Sequence, residues 1–246
     1  MSTVENVEPF GDGFISALCP ELIIFGGLLA LIIIPNLGKG TVRIPGTQTR
    51  VMWLLGGERF KITSNPKMPA WIATITLGAA FTQTVLSFQD GVDRTAIVTD
   101  SGTQLLLVNG FSRVFEMIFF GALTLAAFAS MNRLEVKGIG PKLSTDNLYN
   151  NRRQADFYIL MLTCGLGMSV VALAQDLFVL FIGLELASFS TYVLVAFYKD
   201  AKVGTEAGMK YFIVGSVASG AVSYTHLRSH ETVLDLVCRL LLEKKK

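Results

Sequence analysis

Histidine is nearly missing from this 246-residue chain: the two present, His226 and His230, both fall in the last 21 residues. A histidine-based metal or catalytic set elsewhere is therefore excluded. Cysteine is almost as scarce. Cys19, Cys164 and Cys238 are odd in number and far apart, with no C-x-x-C pair, so neither a disulfide framework nor a zinc site can be read. Charge is low at 16%, against roughly 25% in an average soluble domain. Its balance is nearly even, +2, with no basic stripe of the kind that binds nucleic acid. The few charges and many apolar residues exclude disorder, and 23 glycines are too few for a collagen-like repeat. No nucleotide loop, nucleophile triad or metal motif occurs.

What the chain has is hydrophobic length. Apolar residues make up 51% of it, and six bilayer spans of ~20 residues would use about that many. Six helices are expected: Leu18 to Asn36, Pro69 to Phe88, Val114 to Met131, Ala155 to Ala174, Leu177 to Tyr198, and one from Glu206 that reads apolar from Tyr211 to Val222. Pro20 and Glu21 sit at helix-start positions of the first. Val51 to Gly57 is too short to span and reads as an interfacial anchor through Trp53. Ala96 to Val108 has strand-like patches and is expected to form a short hairpin or irregular segment outside the membrane. Residues 1–17 form an N-terminal segment, 18–131 the first three helices, 155–222 helices four to six, and 223–246 an atypical tail.

Basic residues fall on alternate loops. The 37–68 loop carries Lys39, Arg43, Arg50, Arg59, Lys61 and Lys67 against Glu58. The 132–154 loop carries Arg133, Lys137, Lys142, Arg152 and Arg153 against Glu135 and Asp146. The intervening loop holds Asp90, Asp93 and Asp100 against Arg94 and Arg113, and residues 1–17 are acidic. By the positive-inside rule the N-terminus faces outside and the basic loops inside.

A charge inside a span costs on the order of 3 kcal/mol on insertion scales, so each one asks for a reason. Glu185, in F-V-L-F-I-G-L-E-L-A-S-F-S-T-Y, lies eight residues beyond Leu177, about 12 Å into the layer. It is either a relay acid or a neutral carboxyl bonded to a neighbouring helix. Lys210 precedes an apolar run and is either a relay base or a lysine snorkelling to the inner interface. Glu206 suits the positive end of its helix, and Lys199 and Lys202 read as anchors. Arg113 and Glu116, spaced i, i+3, read as a pair anchoring a helix edge. Gly165 to Ser169 and Gly215 to Ser219 are small-residue spacings that let helices approach.

The stretch D-L-F-V-L-F-I-G-L-E-L-A-S-F-S-T-Y-V-L-V-A-F, Asp176 to Phe197, is followed by T-E-A-G-M-K-Y-F-I-V-G-S-V-A-S-G, Thr205 to Gly220. Together they closely resemble the chain 2 family of NADH-ubiquinone oxidoreductase, respiratory complex I. C-P-E-L-I at 19–23 and the Asp156–Ala174 helix fit the same pattern. The resemblance implies an all-α membrane protein, here the N-terminal part of a fold of about fourteen helices with inverted antiporter-like repeats. It matches the family's helix-five glutamate to Glu185 and its lysine on the next helix to Lys210. It further implies a non-redox subunit of a proton-translocating NADH:ubiquinone reductase, not catalytic alone. No cofactor would be bound by this chain; NADH, FMN, iron–sulfur clusters and ubiquinone would belong to other subunits. Its partners would be other membrane-arm subunits and lipid, and its setting the mitochondrial inner membrane, multi-pass, with the N-terminus on the intermembrane-space side.

Two features depart from that pattern. The family's later lysines have no counterpart, so a split subunit completed by a second chain is expected. Second, Ser223 to Arg228 interrupts an apolar run too short to span, and Thr232 to Lys246 is amphipathic and ends in three lysines. That tail reads either as an anchor on the inner surface or as an end resembling those of unrelated translated transcript assemblies, not genuine sequence. Two rival functions stand beside the proton path: a non-conducting scaffold of the membrane arm, and a cation/proton antiporter or hydrogenase membrane subunit of the same fold.

The topology is checked by single-cysteine labelling on sealed vesicles. A cysteine introduced in the 132–154 loop should react only after the membrane is permeabilised; labelling from outside would reverse the orientation.

Overall fold

Apolar side chains recur at three, four or seven residues apart along four segments. Ile24 and Leu31 lie on the first, Ala70, Ala73, Leu77 and Ala80 on the second, Phe120 and Ala127 on the third, and Tyr158, Met161 and Leu162 on the fourth. That spacing keeps one stripe of each helix turned toward its neighbours. In the computed structural model these stripes meet in one buried core. The structure describes residues 5–6, 12–36, 41–43, 50–52, 68–90, 94–98, 104–131, 144–197 and 202–243, with side chains over 15–33, 68–89, 105–131, 154–197 and 202–225.

The elements in chain order are β1 (Glu5–Asn6), α1 (Asp12–Ala17), α2 (Cys19–Asn36), β2 (Thr41–Arg43), β3 (Arg50–Met52), α3 (Met68–Asp90), β4 (Arg94–Val98), β5 (Gln104–Val108), α4 (Gly110–Ser130), α5 (Ser144–Leu173), α6 (Leu177–Val195) and α7 (Lys202–Glu243). The chain divides into two compact units, Met1–Leu194 and Val195–Lys246. In the first, α2, α3, α4 and α5 form the bundle, and α5 packs on the other three.

The expected apolar segments lie largely on helices, the fifth ending at Val195, and among the described residues four are both long and apolar enough to cross a membrane: Met68–Gln89, Gly110–Ser130, Gln154–Leu173 and Leu177–Val195. Cys19–Ile33 is a shorter apolar helix. The all-α expectation is corrected to mostly helical. β4 and β5 pair antiparallel as a hairpin, with β1 parallel to β4 on its other side. β2 and β3 form a second antiparallel pair within the basic 37–68 loop. The Trp53 anchor lies outside the described residues. α5 begins at Ser144, earlier than the expected Ala155. The backbone of α7 stays helical across Ser223 to Arg228, where the apolar run ends, because nothing in S-Y-T-H-L-R is a proline or glycine that would break it.

Six hydroxyls inside the spans are satisfied by their own helices. Thr74, Thr76, Thr84, Thr124, Thr163 and Ser190 each donate to a carbonyl four residues back at 2.6–2.9 Å. Water is absent from a bilayer core, so this internal bonding removes the cost of an unmet donor. α4 starts with a capping box: Asn109 Oδ1 accepts from the Ser112 amide at 2.8 Å, and the Asn109 amide donates to Ser112 Oγ at 2.9 Å.

α5 and α6 approach through glycine. A Cβ on Gly167 would stand 2.5 Å from the Ala187 nitrogen and 2.9 Å from the Gly183 oxygen, both backbone atoms that cannot swing aside. A Cβ on Gly183 would meet Val170 and Val171 at 3.0 Å. This pair carries the α5–α6 approach, while Gly165, of the Gly165–Ser169 spacing, faces Leu123 and Leu77. Gly167→Val should therefore lower stability by ~1–3 kcal/mol through overpacking. Thermal unfolding in detergent should show a lower midpoint, whereas Gly26→Ala, where an added Cβ meets nothing within 4 Å, should leave it nearly unchanged.

Candidate functional site

Glu185 lies in the middle of α6, flanked by Gly183 and Ala187, the residues against which Gly167 packs. Its side chain is half-buried and has no ion-pair partner among the described residues. α6 starts at a firm cap, since the Asp176 carboxylate accepts from the Phe178 amide at 2.9 Å. That cap fixes Glu185 about two turns into the span.

Lys210 lies on α7, in the second unit. Its Nζ donates to Glu206 Oε1 at 2.6 Å, one turn earlier, with both side chains largely exposed, 73% and 66%. An exposed i, i+4 pair contributes little, about 0.3–0.5 kcal/mol. The pairing gives Glu206 a partner on the helix face besides its position near the helix start. Glu185 and Lys210 belong to separate units, each described by itself.

The densest polar geometry lies elsewhere, on residues read from sequence as edge anchors or packing. Arg113, in the first turn of α4, is 3% exposed and donates through Nη1 to Glu116 Oε2 at 2.6 Å; Glu116 is fully buried. Arg113 Nη2 donates to the carbonyl of Ala17, at the end of α1. From α5, Ser169 Oγ lies 2.6 Å from Glu21 Oε1 and 3.2 Å from Glu116 Oε1. The start of α2, the start of α4 and the end of α5 are thus joined by one polar cluster. Glu21 Oε2 and Arg113 Nε are buried without a hydrogen-bond partner.

An apolar layer of Ala17, Leu18, Val108 and Leu173 lies at the same helix ends, with Leu106 packed against it. The β4–β5 hairpin is tied there by the Gln175 amide, which donates to the Leu105 carbonyl at 3.0 Å, and by a bridge between Leu106 and Ala174. The edge-anchor reading of Arg113 and Glu116 is therefore corrected: the pair is interior, because Ala17, Glu21 and Ser169 supply the partners that make burial tolerable. The signal available in the sequence was two acids and one base on apolar helices. What it lacked was that Glu21, more than ninety residues away, meets them.

Comparison with known proteins bears on α6 and α7. Residues 174–227 match the family described as NADH:quinone oxidoreductase/Mrp antiporter, transmembrane. Several proteins named NADH-quinone oxidoreductase subunit N are similar to parts of the chain. NADH-quinone oxidoreductase subunit N of Halorhodospira halophila is 40% identical over 114 residues, 46% of this chain and 23% of that protein. Subunit N of Acidithiobacillus ferrooxidans is 31% identical over 157 residues, 64% of this chain and 28% of that protein. Subunit N of Maricaulis maris is 27% identical over 212 residues, 85% of this chain and 35% of that protein. The chain thus spans about a quarter to a third of the length of these relatives. They are bacterial proteins; they fit a membrane setting and lend no support to a mitochondrial one.

Arg113→Met leaves the Glu116 carboxyl buried beside Glu21 with no cation, and the Ala17 carbonyl without its donor. Loss of one partner from a buried pair typically costs about 3–5 kcal/mol. Chemical unfolding in detergent should register that loss. Lys210→Met, which breaks only an exposed pair, should change stability by less than about 0.5 kcal/mol.

Proposed function

We propose that this chain is a membrane-arm component of a proton-translocating NADH:quinone oxidoreductase. Glu185 is its coupling acid and Lys210 a relay or charge-tuning base. The observation that carries this reading is the family match over 174–227, which contains both residues on consecutive apolar helices. A carboxyl placed mid-span, with no ion-pair partner among the described residues, is a functional-site candidate by its position. The redox chemistry, with NADH, FMN, iron–sulfur clusters and quinone, is assigned to other subunits. The role proposed for this chain is the movement of protons.

The proposed fold is the antiporter-like one, with α2 to α7 as its first six spans and the N-terminus outside. The helices that complete it would cover the apolar side chains of α7, among them Val203, Met209, Val214 and Val217, which are 59–81% exposed. They would be supplied by the same polypeptide or, as the sequence pattern suggests, by a second chain. Mass spectrometry of the isolated complex decides between these. Peptides joining α7 to later helices would refute a split subunit.

A scaffold without conduction is the second reading. It is favoured by one observation, that Lys210 is engaged by Glu206 on its own helix instead of standing alone. The two are separated by Glu185→Gln, which keeps size and hydrogen bonding and removes the titratable charge. In the assembled complex, proton pumping per NADH should fall several-fold while assembly is retained. Wild-type pumping in an assembled variant would establish the scaffold. Lys210→Met should lower pumping in the same direction.

A further inference from the structure

The cluster at the shared end of α2, α4 and α5 contains more hydrogen-bond acceptors than hydrogens if both its carboxyls are ionised. Ser169 has one hydroxyl hydrogen and two carboxyl oxygens within reach, Glu21 Oε1 at 2.6 Å and Glu116 Oε1 at 3.2 Å. A serine donates once and accepts up to twice, and an ionised carboxylate only accepts. Both contacts are full hydrogen bonds only when a carboxyl oxygen carries a hydrogen. Charge gives the same count. Arg113 stays protonated in any protein environment, so one guanidinium faces two carboxyls. In a buried site an uncompensated charge is strongly unfavourable, and neutrality is reached with one proton on the pair.

We propose that Glu21, Ser169 and Glu116 form a binding site for a single exchangeable proton, held in balance by Arg113. In one state Glu116 Oε1–H donates to Ser169 Oγ, and Ser169 O–H donates to Glu21 Oε1. In the other the order is reversed: Glu21 Oε1–H donates to Ser169, and Ser169 donates to Glu116. Interconversion breaks one O–H bond on a carboxyl and forms one on the other, while the serine loses one hydrogen and gains one. Atoms and charge balance, and the negative charge moves between α2 and α4. Among the described residues, the groups facing the pair are Glu21 from α2, Arg113 from α4, Ser169 from α5 and the Ala17 carbonyl, which Arg113 engages. Val108, Leu18 and Leu173 form the apolar layer at these helix ends. Gly167 and Ser169 are two residues apart on α5 and so point to opposite sides of it. The site therefore lies across α5 from the face that packs on α6, and it stands whether or not Glu185 couples to redox chemistry.

Infrared difference spectroscopy on the complex isolated from native membranes tests this. The wild type should show a protonated-carboxyl stretch that Glu116→Gln and Glu21→Gln each remove, because either change leaves Arg113 balanced by one carboxylate. The band should shift in D2O, and Glu185→Gln should leave it in place. Ser169→Ala keeps both carboxyls and the ion pair, so it reads the site even if the glutamine variants fail to accumulate; it should move the band by removing its hydrogen-bond partner. Loss of only a carboxylate stretch in both glutamine variants would overturn the proposal and make the cluster a fully ionised clamp. So would an unchanged carboxyl region in Ser169→Ala.

Discussion

The contact between Arg113 and Glu116 governs much of the first unit. A guanidinium and a carboxylate taken from water into an apolar bundle are tolerated only when nearly every donor and acceptor is engaged. Here that requirement reaches across the sequence: Ala17 supplies a carbonyl, Ser169 a hydroxyl and Glu21 a second carboxyl. The ends of four helices are fixed by the demands of one ion pair. The capping box at Asn109 then has a clear purpose, since it starts α4 one turn before Arg113 and sets the angle at which the guanidinium enters.

Away from that end, the bundle is held by shape. The apolar stripes close the core, and Gly167 with Gly183 brings α5 against α6 at backbone distance. Membrane helices gain little from hydrophobic sorting among themselves, because lipid is as apolar as leucine. Close backbone approach and a few buried hydrogen bonds, such as Ser130 with Tyr158 at 3.0 Å, must serve instead. The large apolar side chains of α6 that remain exposed, Phe178, Ile182 and Phe189 among them, suit lipid or further helices.

Much of this was legible in the residues. The apolar runs gave the helices to within a few positions, and the strand-like patches of Ala96–Val108 gave the β4–β5 hairpin, because each depends on local period and turn chemistry. The motif around Glu185 and Lys210 gave the family. What stayed hidden depended on contact between distant segments. Glu21 looked like a helix-start acid, Ser169 like a packing residue and Arg113 like an interfacial anchor. Each reading was reasonable for its own helix, and none could show that the three meet. The extension of α5 back to Ser144 was missed for a different reason: polar Ser144–Gln154 lacks the apolar signal used to find spans, yet contains no helix breaker.

The hydroxyl bonding of α3 bears on how the bundle comes to be built. Thr74, Thr76, Thr82 and Thr84 all return their hydrogens to their own helix, so these hydroxyls of α3 ask no partner of its neighbours. α4 has no such independence. Until α2 brings Glu21 and α5 brings Ser169, its first two turns present a guanidinium and a carboxyl that lipid cannot solvate. The head of α4 thus depends on α2 and α5 for its polar partners, whereas the threonines of α3 are satisfied within their own helix.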